Sequence, residues 1–159
     1  MKIISNTTPI ISLASIGKLS ILKKLFKEII IPEAVYNEVK AKENYGYKEI
    51  ETDFIKVESI KGQIYRELLL SQLDLGEAET IILAKEINAD YVIIDENIGY
   101  RIAKNSGLNV IRTLSILLSA KEKRVIKAVK PLLDEMILKG RWYSKRVYVD
   151  FLRRAKEIV

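Results

Sequence analysis

Two polar residues of this sequence directly follow short apolar runs. Asn6 comes after the run at 3–5, and Asp95 comes after the run at 91–94. If these runs are strands of an open parallel sheet, both residues lie at its carboxyl edge, where such sheets place their binding sites. Each also has a structural explanation: Asp95 could cap a helix that begins near Ile98, and Asn6 could form an Asx-turn. Both alternatives stay open.

Two glutamates are candidates because of their helical phase. In the predicted helix 76–87, Glu77 shares a stripe with apolar residues four and seven positions later, whereas Glu79 points more nearly outward. In the predicted helix 32–42, Glu38 borders the apolar stripe. A first-turn acid that complements the helix dipole would explain Glu77 equally well. Taken singly, each glutamate is an ordinary acidic residue.

The sequence contains no histidine and no cysteine. A disulfide, a Cys/His zinc site, a thiol nucleophile and a Ser-His-Asp triad are therefore excluded. Acid–base and ligand chemistry must come from Asp, Glu, Lys or Tyr side chains. The most economical scheme is a set of carboxylates that holds a hard cation such as Mg²⁺ or Mn²⁺.

Positive charge is concentrated at the C-terminal end of the chain. Residues 1–120 contain 15 basic and 16 acidic residues, whereas residues 121–159 contain 12 basic and 5 acidic residues. This asymmetry favours a phosphate-backbone partner. The alternative is a solvated helix surface in a composition rich in Lys and Glu.

Short β-branched runs alternate with longer segments of helical periodicity, which predicts an α/β fold with a mostly parallel sheet. The first helix is expected to have Thr8 as its N-cap, Pro9 at its first position and Gly17 at its end. Pro131 should kink or split the helix in which it falls. The predicted strands are 2–5, 28–31, 54–57, 91–94 and 108–111, with the charged run 54–57 towards an edge. The other predicted helices are 18–26, 32–42, 63–71, 76–87, 98–106, 114–120, 124–139 and 144–158.

The length and hydropathy of the chain favour one domain that does not enter a membrane. Its 159 residues fit a single compact domain, 1–159, with a basic helical C-terminal segment at 121–159. Apolar runs do not exceed four residues, whereas a membrane-spanning helix needs about 20. No signal peptide is recognised at the N-terminus. We therefore expect a cytoplasmic protein.

Several short motifs follow one another in a characteristic order. They are Ser-Asn-Thr-Thr-Pro at 5–9, Ile-Pro-Glu-Ala-Val-Tyr-Asn-Glu-Val at 31–39, Leu-Gly-Glu-Ala-Glu at 75–79, Val-Ile-Ile-Asp at 92–95 and Pro-Leu-Leu-Asp-Glu at 131–135. In residue type and order they resemble the PIN-domain family of metal-dependent nucleases. The resemblance extends over most of the chain and looks closest to an archaeal and bacterial subgroup. It implies a single three-layer domain with helices on both sides of the sheet.

The resemblance also implies where the site lies. The family's acidic quartet falls on Asn6, Glu38, Glu77 and Asp95, which are expected to hold Mg²⁺ or Mn²⁺, with the three acids as the catalytic residues. Asp95 and Glu77 are expected as metal ligands, and Glu38 as a ligand or a water-orienting base. The four side chains should converge on one pocket.

One member of the quartet departs from the family pattern, because Asn6 occupies the position of the usual first aspartate. An amide oxygen can still bind Mg²⁺, but the site loses a negative charge. Asn6 is therefore expected as a weaker ligand or as a positioning residue. Thr8 falls on the small hydroxyl residue that often assists the first acid. Arg101 could meet a substrate phosphate, with a helix-surface ion pair as the alternative.

The function implied by the resemblance is hydrolysis of phosphodiester bonds in RNA by a metal-dependent ribonuclease. Similar proteins include the VapC-type toxins, so the protein would be the toxin of a toxin–antitoxin pair or a related RNA-processing enzyme. Its expected partner is RNA, and an antitoxin protein or a second copy of the chain is left open. The alternative is a catalytically weak or inactive PIN-like module with an RNA-binding or regulatory function. Asn6 is the residue that favours this alternative.

Overall fold

The computed structural model describes residues 1–158, and Val159, the last residue of the predicted basic segment, lies outside the described residues. Within that range the chain forms five strands and nine helices. The strands are β1 Ile3–Ser5, β2 Ile29–Pro32, β3 Ile55–Glu58, β4 Tyr91–Ile93 and β5 Val110–Ile111. The helices are α1 Thr7–Ser15, α2 Ser20–Phe26, α3 Glu33–Lys40, α4 Gln63–Leu69, α5 Leu75–Glu86, α6 Asn97–Asn105, α7 Thr113–Glu122, α8 Lys130–Leu138 and α9 Lys145–Arg154.

The five strands form one parallel sheet in the order β3-β2-β1-β4-β5. The chain winds outward from β1 to β3 and then crosses back to place β4 on the other side of β1. In doubly wound sheets, ligands bind at the carboxyl ends of the strands where the winding reverses. Here that point lies between β1 and β4. The predicted α/β fold is confirmed, and β3 lies at an edge of the sheet, as its charges indicated.

Both faces of the sheet are covered by helices. Because side chains alternate along a strand, Ile3 and Ile93 face one core, which contains residues of α1, α2, α7, α8 and α9. Ile4 and Val92 face the other core, which contains residues of α5 and α6. Burial on both sides explains why the central strands are continuously apolar. In the described range no helix has the length and apolar character to span a bilayer.

Two predicted helices are shorter than their sequence pattern indicated. The predicted helix 124–139 exists only as α8, which starts at Lys130 and places Pro131 in its first turn, where proline is tolerated. Residues 124–129 form turns, and Arg124 has a positive φ of 59°. At the other end of the segment, α9 ends at Arg154, and Lys156 also has a positive φ of 59°. Left-handed residues of this kind end helices.

The first helix begins two residues earlier than predicted. Its N-cap is Asn6, so Thr8 lies inside the first turn and Pro9 occupies the third helical position. All three positions of that turn lack an intrahelical acceptor, which is why proline fits there as well as at the first position. The end of the helix was predicted correctly, since Gly17 follows the C-cap with a φ of 64°.

Candidate functional site

Asn6 lies at the carboxyl end of β1 with one side-chain atom unpaired. Its backbone N–H donates to the carbonyl of Ile93 at 3.0 Å, which fixes Asn6 between β1 and β4. Its side-chain nitrogen Nδ2 donates to Glu96 at 3.3 Å. Although Asn6 is buried, its oxygen Oδ1 finds no hydrogen-bond partner within residues 1–158. The Asx-turn that was the structural alternative for Asn6 is therefore absent, and a buried acceptor is left available for another group.

Glu38 projects from the last turns of α3 towards the start of α5. The Thr7 hydroxyl donates a short hydrogen bond to one carboxylate oxygen, and the Gly76 N–H donates to the other at 2.9 Å. Partial desolvation of this carboxylate raises the pKa of Glu38, and the nearby charges of Asp74 and Glu96 raise it further, while the two hydrogen bonds oppose the shift. Glu38 is thus held in place beside other acids.

Glu77 lies in the first turn of α5 and is only 7% exposed. Burial, a hydrogen bond to the Asp74 carboxyl and the charges of Asp74 and Glu96 together raise the pKa of Glu77 to about 7. Asp74 itself is the N-cap of the helix and accepts from the Glu77 N–H at 2.8 Å. The prediction that Glu77 faces inward is confirmed.

Two glycines leave room for these carboxylates. A Cβ atom added to Gly76 would lie 2.5 Å from a carboxylate oxygen of Glu38, and one added to Gly99 would lie 2.5 Å from a carboxylate oxygen of Glu77. Any larger residue at either position would have to displace the acid. The backbone of α5 and α6 is therefore matched to the two carboxylates.

Glu96 is the residue that connects the others, and the sequence pattern did not single it out. It accepts from Asn6 Nδ2 and, through a short hydrogen bond, from the Thr8 hydroxyl. Its charge also raises the pKa values of Glu38 and Glu77. We call Glu38, Asp74, Glu77 and Glu96, together with Asn6, the acidic cluster. The available sequence signal was a second acid next to Asp95 after a buried strand.

Asp95 does not share the contacts of the acidic cluster. Its carboxylate accepts from the backbone N–H of Thr113 at 2.8 Å and from the hydroxyl of the same residue at 2.7 Å. Arg141 lies 3.5 Å from it as an ion-pair partner. The expectation that Asp95 caps the helix near Ile98 was wrong, since Asp95 holds the start of α7 and Glu96 is the N-cap of α6.

The sequence also made predictions for three other residues, and the structure agrees with them only in part. The outward orientation expected for Glu79 was wrong, because this side chain is 5% exposed and pairs with Arg66 at 3.2 Å. Thr8 lies beside the acidic cluster through its bond to Glu96. Arg101 is exposed on α6, and no ion pair or hydrogen bond of its side chain is found in the described part of the chain.

Comparison with protein families decides which family the fold represents. Residues 2–157 match a family described as a PIN domain. The chain belongs to the PIN-domain family. PIN domains are generally nucleases and generally use divalent metals. No curated protein matches the sequence.

The oxygen atoms of this PIN domain suit a hard cation in their chemistry. Carboxylate and amide oxygens are the ligands preferred by Mg²⁺ and Mn²⁺, and the unpaired Oδ1 of Asn6 is a free acceptor next to Glu96. Among residues 1–158, however, no three acidic side chains are already arranged as a cation site. A cation would therefore have to draw the carboxylates together, which would also remove their mutual repulsion.

Proposed function

We propose that the protein is a metal-dependent ribonuclease that hydrolyses phosphodiester bonds of RNA, acting as the toxin of a toxin–antitoxin pair or as a related RNA-processing enzyme. The observation that best supports this proposal is the buried, unpaired Oδ1 of Asn6. This oxygen lies beside Glu96, at the point where the sheet reverses its winding. A purely structural domain would gain nothing from an unpaired buried acceptor among carboxylates. RNA as the partner is part of the proposal.

Asn6, Glu38 and Glu77 are the proposed ligands, and Glu96 joins them because of its contact with Asn6. When bound, Mg²⁺ or Mn²⁺ supplies neutralisation of the scissile phosphate and activation of the attacking water. Thr7 and Thr8 position Glu38 and Glu96 through their hydroxyl groups. Asp95 stays a predicted ligand, and its hydrogen bonds from Thr113 would then hold the carboxylate in place, since each oxygen keeps a second lone pair.

In the hydrolysis, a water oxygen forms a bond to phosphorus, and the bond from phosphorus to the leaving ribose oxygen breaks. The proton of the water passes to a carboxylate, for which Glu38 is the predicted acceptor, and the leaving oxygen takes a proton from solvent. Glu38 suits this role because both of its oxygens are held by donors from α1 and α5, which fixes its orientation.

The direct test is cleavage of a single-stranded RNA by the purified protein with MgCl₂ or MnCl₂ and with excess EDTA. We expect cleavage that depends on the metal and that falls at least 100-fold in Glu38→Gln. Glu33→Gln is a matched control, since Glu33 is an exposed glutamate of the same helix. Undiminished cleavage in EDTA, or equal loss in both variants, would rule out the proposed mechanism.

A second candidate function is a PIN-like RNA-binding module with little activity. It is favoured by the amide at Asn6 and by the Asp95 carboxylate, which is already satisfied by Thr113 and Arg141. The two functions are separated by RNA binding without cleavage in MnCl₂. The stability of Asp95→Asn gives a second criterion. If this variant is destabilised by the same amount with and without metal, Asp95 stabilises the start of α7 and does not bind the metal.

A further inference from the structure

A pocket of about 370 Å³ lies next to the acidic cluster and shares Glu96 with it. The opposite wall comes from the start of α7 and from the loop between α8 and α9, which contribute Arg112, Arg141, Trp142 and Tyr143. The pocket thus combines two guanidinium groups with two aromatic rings. Trp142 is 76% exposed, although a large apolar ring of this kind is normally buried.

A buried donor that lines this pocket has no partner. Arg141 Nε makes no hydrogen bond in the described part of the protein, and the buried hydroxyl of Tyr143 lies beside the same guanidinium group. Burial raises the pKa of Tyr143 to about 12, so its hydroxyl keeps its proton. Buried donors without partners are costly, and a ligand that offers acceptor oxygens would satisfy them.

A second pocket, of about 240 Å³, adjoins the first at Arg141. Thr8, Tyr45 and Lys139 are among the residues that line it. Thr8 is hydrogen-bonded to Glu96, so this pocket also borders the acidic cluster. Arg141 therefore stands between two pockets that both reach the cluster, and each pocket holds a cation and an aromatic side chain.

We propose that these two pockets form one groove that binds single-stranded RNA across the acidic cluster. We call it the loop groove and define it by Arg112, Lys139, Arg141, Trp142 and Tyr45. Its cations would contact the phosphates, and its aromatic rings would stack on bases, the combination typical of single-strand binding. The choice of RNA rests on the proposed function. RNA is a more suitable occupant than an acidic protein, because each pocket places an aromatic ring beside a cation and a single strand offers both bases and phosphates to them.

The first experiment uses Trp142, the only tryptophan of the chain, as a fluorescent reporter of the groove. Decauridylate is titrated into the full protein in EDTA, which prevents metal-dependent cleavage. We expect saturable quenching of the tryptophan fluorescence with the same Kd as the polarisation of a labelled decauridylate. A decamer of glutamate, as a probe for an acidic protein partner, should leave the fluorescence unchanged.

The second experiment compares substitutions of exposed residues inside the loop groove with a substitution of an exposed residue outside it. Trp142→Ala should weaken the Kd for decauridylate measured by polarisation by roughly 5- to 150-fold, the range for loss of one stacked base. Lys139→Gln should weaken it and lower the slope of log K against log salt by about 0.7. Arg154→Gln is the matched control, because Arg154 lies at the far end of α9, about 15 Å along the helix from Ser144.

The outcomes separate the groove from the proposed function. Four results would each overturn the loop groove. Two concern binding itself: no binding of decauridylate, or binding by polarisation without quenching of Trp142. The other two are equal effects of Lys139→Gln and Arg154→Gln, and quenching by the acidic peptide alone. Binding in the groove without cleavage in MnCl₂ would support the groove and refute the nuclease. Cleavage that Trp142→Ala and Lys139→Gln leave intact would support the nuclease and refute the groove.

Discussion

At the scale of single residues, the amide of Asn6 determines how much charge the acidic cluster carries. An aspartate at this position would add a fourth ligand charge but would also place a carboxylate next to Glu96, which now accepts from Asn6 Nδ2. We expect Asn6→Asp to lower the melting temperature in EDTA and to bind Mn²⁺ roughly tenfold more tightly. Thermal melts with EDTA and across a MnCl₂ titration measure both effects.

Asn6→Ala is the control for the comparison of Asn6→Asp with the unchanged protein. Asn6→Ala removes the oxygen and the nitrogen without adding charge, so it should lose the stabilisation by Mn²⁺ rather than gain it. If the Mn²⁺ dependence is the same in Asn6→Asp, Asn6→Ala and the unchanged protein, Asn6 is not a ligand.

Glu77 makes the stability of the metal-free protein depend on pH. Its pKa rises from the ordinary value of 4.5 to about 7 in the folded protein, so between these values the folded state binds more protons than the unfolded state. The contribution of Glu77 to the free energy of unfolding is therefore fully present below pH 4.5 and is lost as the pH rises through about 7. Glu77→Gln should remove this contribution to the decline and stabilise the apo protein at pH 7.5 by about 1–3 kcal/mol.

Urea unfolding at pH 4.5, 6 and 7.5 in EDTA measures the effect. Glu67→Gln, a substitution of an exposed glutamate on α4, should leave the decline unchanged. A pH profile of Glu77→Gln that is parallel to that of the unchanged protein would contradict the assignment of the raised pKa to Glu77.

The sequence pointed to most of the site residues but not to their central contact. Asn6, Glu38 and Glu77 were predicted from strand ends, helical phase and the family resemblance, and all three lie in the acidic cluster. Asp95 was singled out because it directly follows the apolar run 91–94 and matches the family motif, and Glu96 was not considered. Neighbouring residues of an extended segment point in opposite directions, and only the packed structure shows that Asp95 turns to Thr113 while Glu96 turns to Asn6.

At the scale of elements, the site depends on how closely α3 approaches α5. The carboxylate of Glu38 fits against the backbone of α5 because Gly76 has no side chain. Alanine favours a helix by about 1 kcal/mol over glycine, which would offset the loss of one hydrogen bond of similar value. We therefore expect Gly76→Ala to keep its stability within about 1 kcal/mol while it loses as much RNA cleavage as Glu38→Gln.

The double variant shows whether the glycine acts through the acid. In the Glu38→Gln background, Gly76→Ala should cause no further loss of cleavage, because both changes remove the same interaction. Additive losses would mean that Gly76 supports the site by another route.

The elements themselves were largely predictable, and the exceptions have a common cause. The first four strands were predicted within one residue at each end. For β1, β2 and β4 the reason is that buried β-branched runs leave few alternatives, whereas β3 was recognised although most of its residues are exposed. The helix expected from residue 124 instead begins at Lys130. In its first part, residues 124–129, a basic residue stands at every third position among apolar residues, a spacing that also fits a helix. The chain instead turns at Arg124, which has a positive φ of 59°. The loop that carries Arg141 and Trp142 could not be placed, because its position depends on α8 and α9 together.

At the scale of the whole molecule, much of the C-terminal positive charge is used within the protein. Lys121 binds Glu157 at 2.9 Å, and Lys130 binds Asp134 at 2.8 Å. The carboxylates of these pairs reduce the positive charge that the two lysines offer to a nucleic acid. The asymmetry seen in the sequence therefore overstates the charge available for RNA, and the loop groove needs only a few of the basic residues.

The remaining basic surface of α9 should affect the rate of RNA association more than its equilibrium. Changing Lys145, Arg146, Arg153 and Arg154 together to Gln lowers the formal net charge from +6 to +2. The Debye length is about 30 Å at 0.01 M salt but only about 8 Å at 0.15 M, so these side chains would attract RNA from a distance only at low salt. We expect stopped-flow association of decauridylate to slow several-fold at 0.01 M salt, with the Kd at 0.15 M changed less than twofold. A loss of affinity at 0.15 M equal to that of Lys139→Gln would instead show that RNA contacts α9 directly.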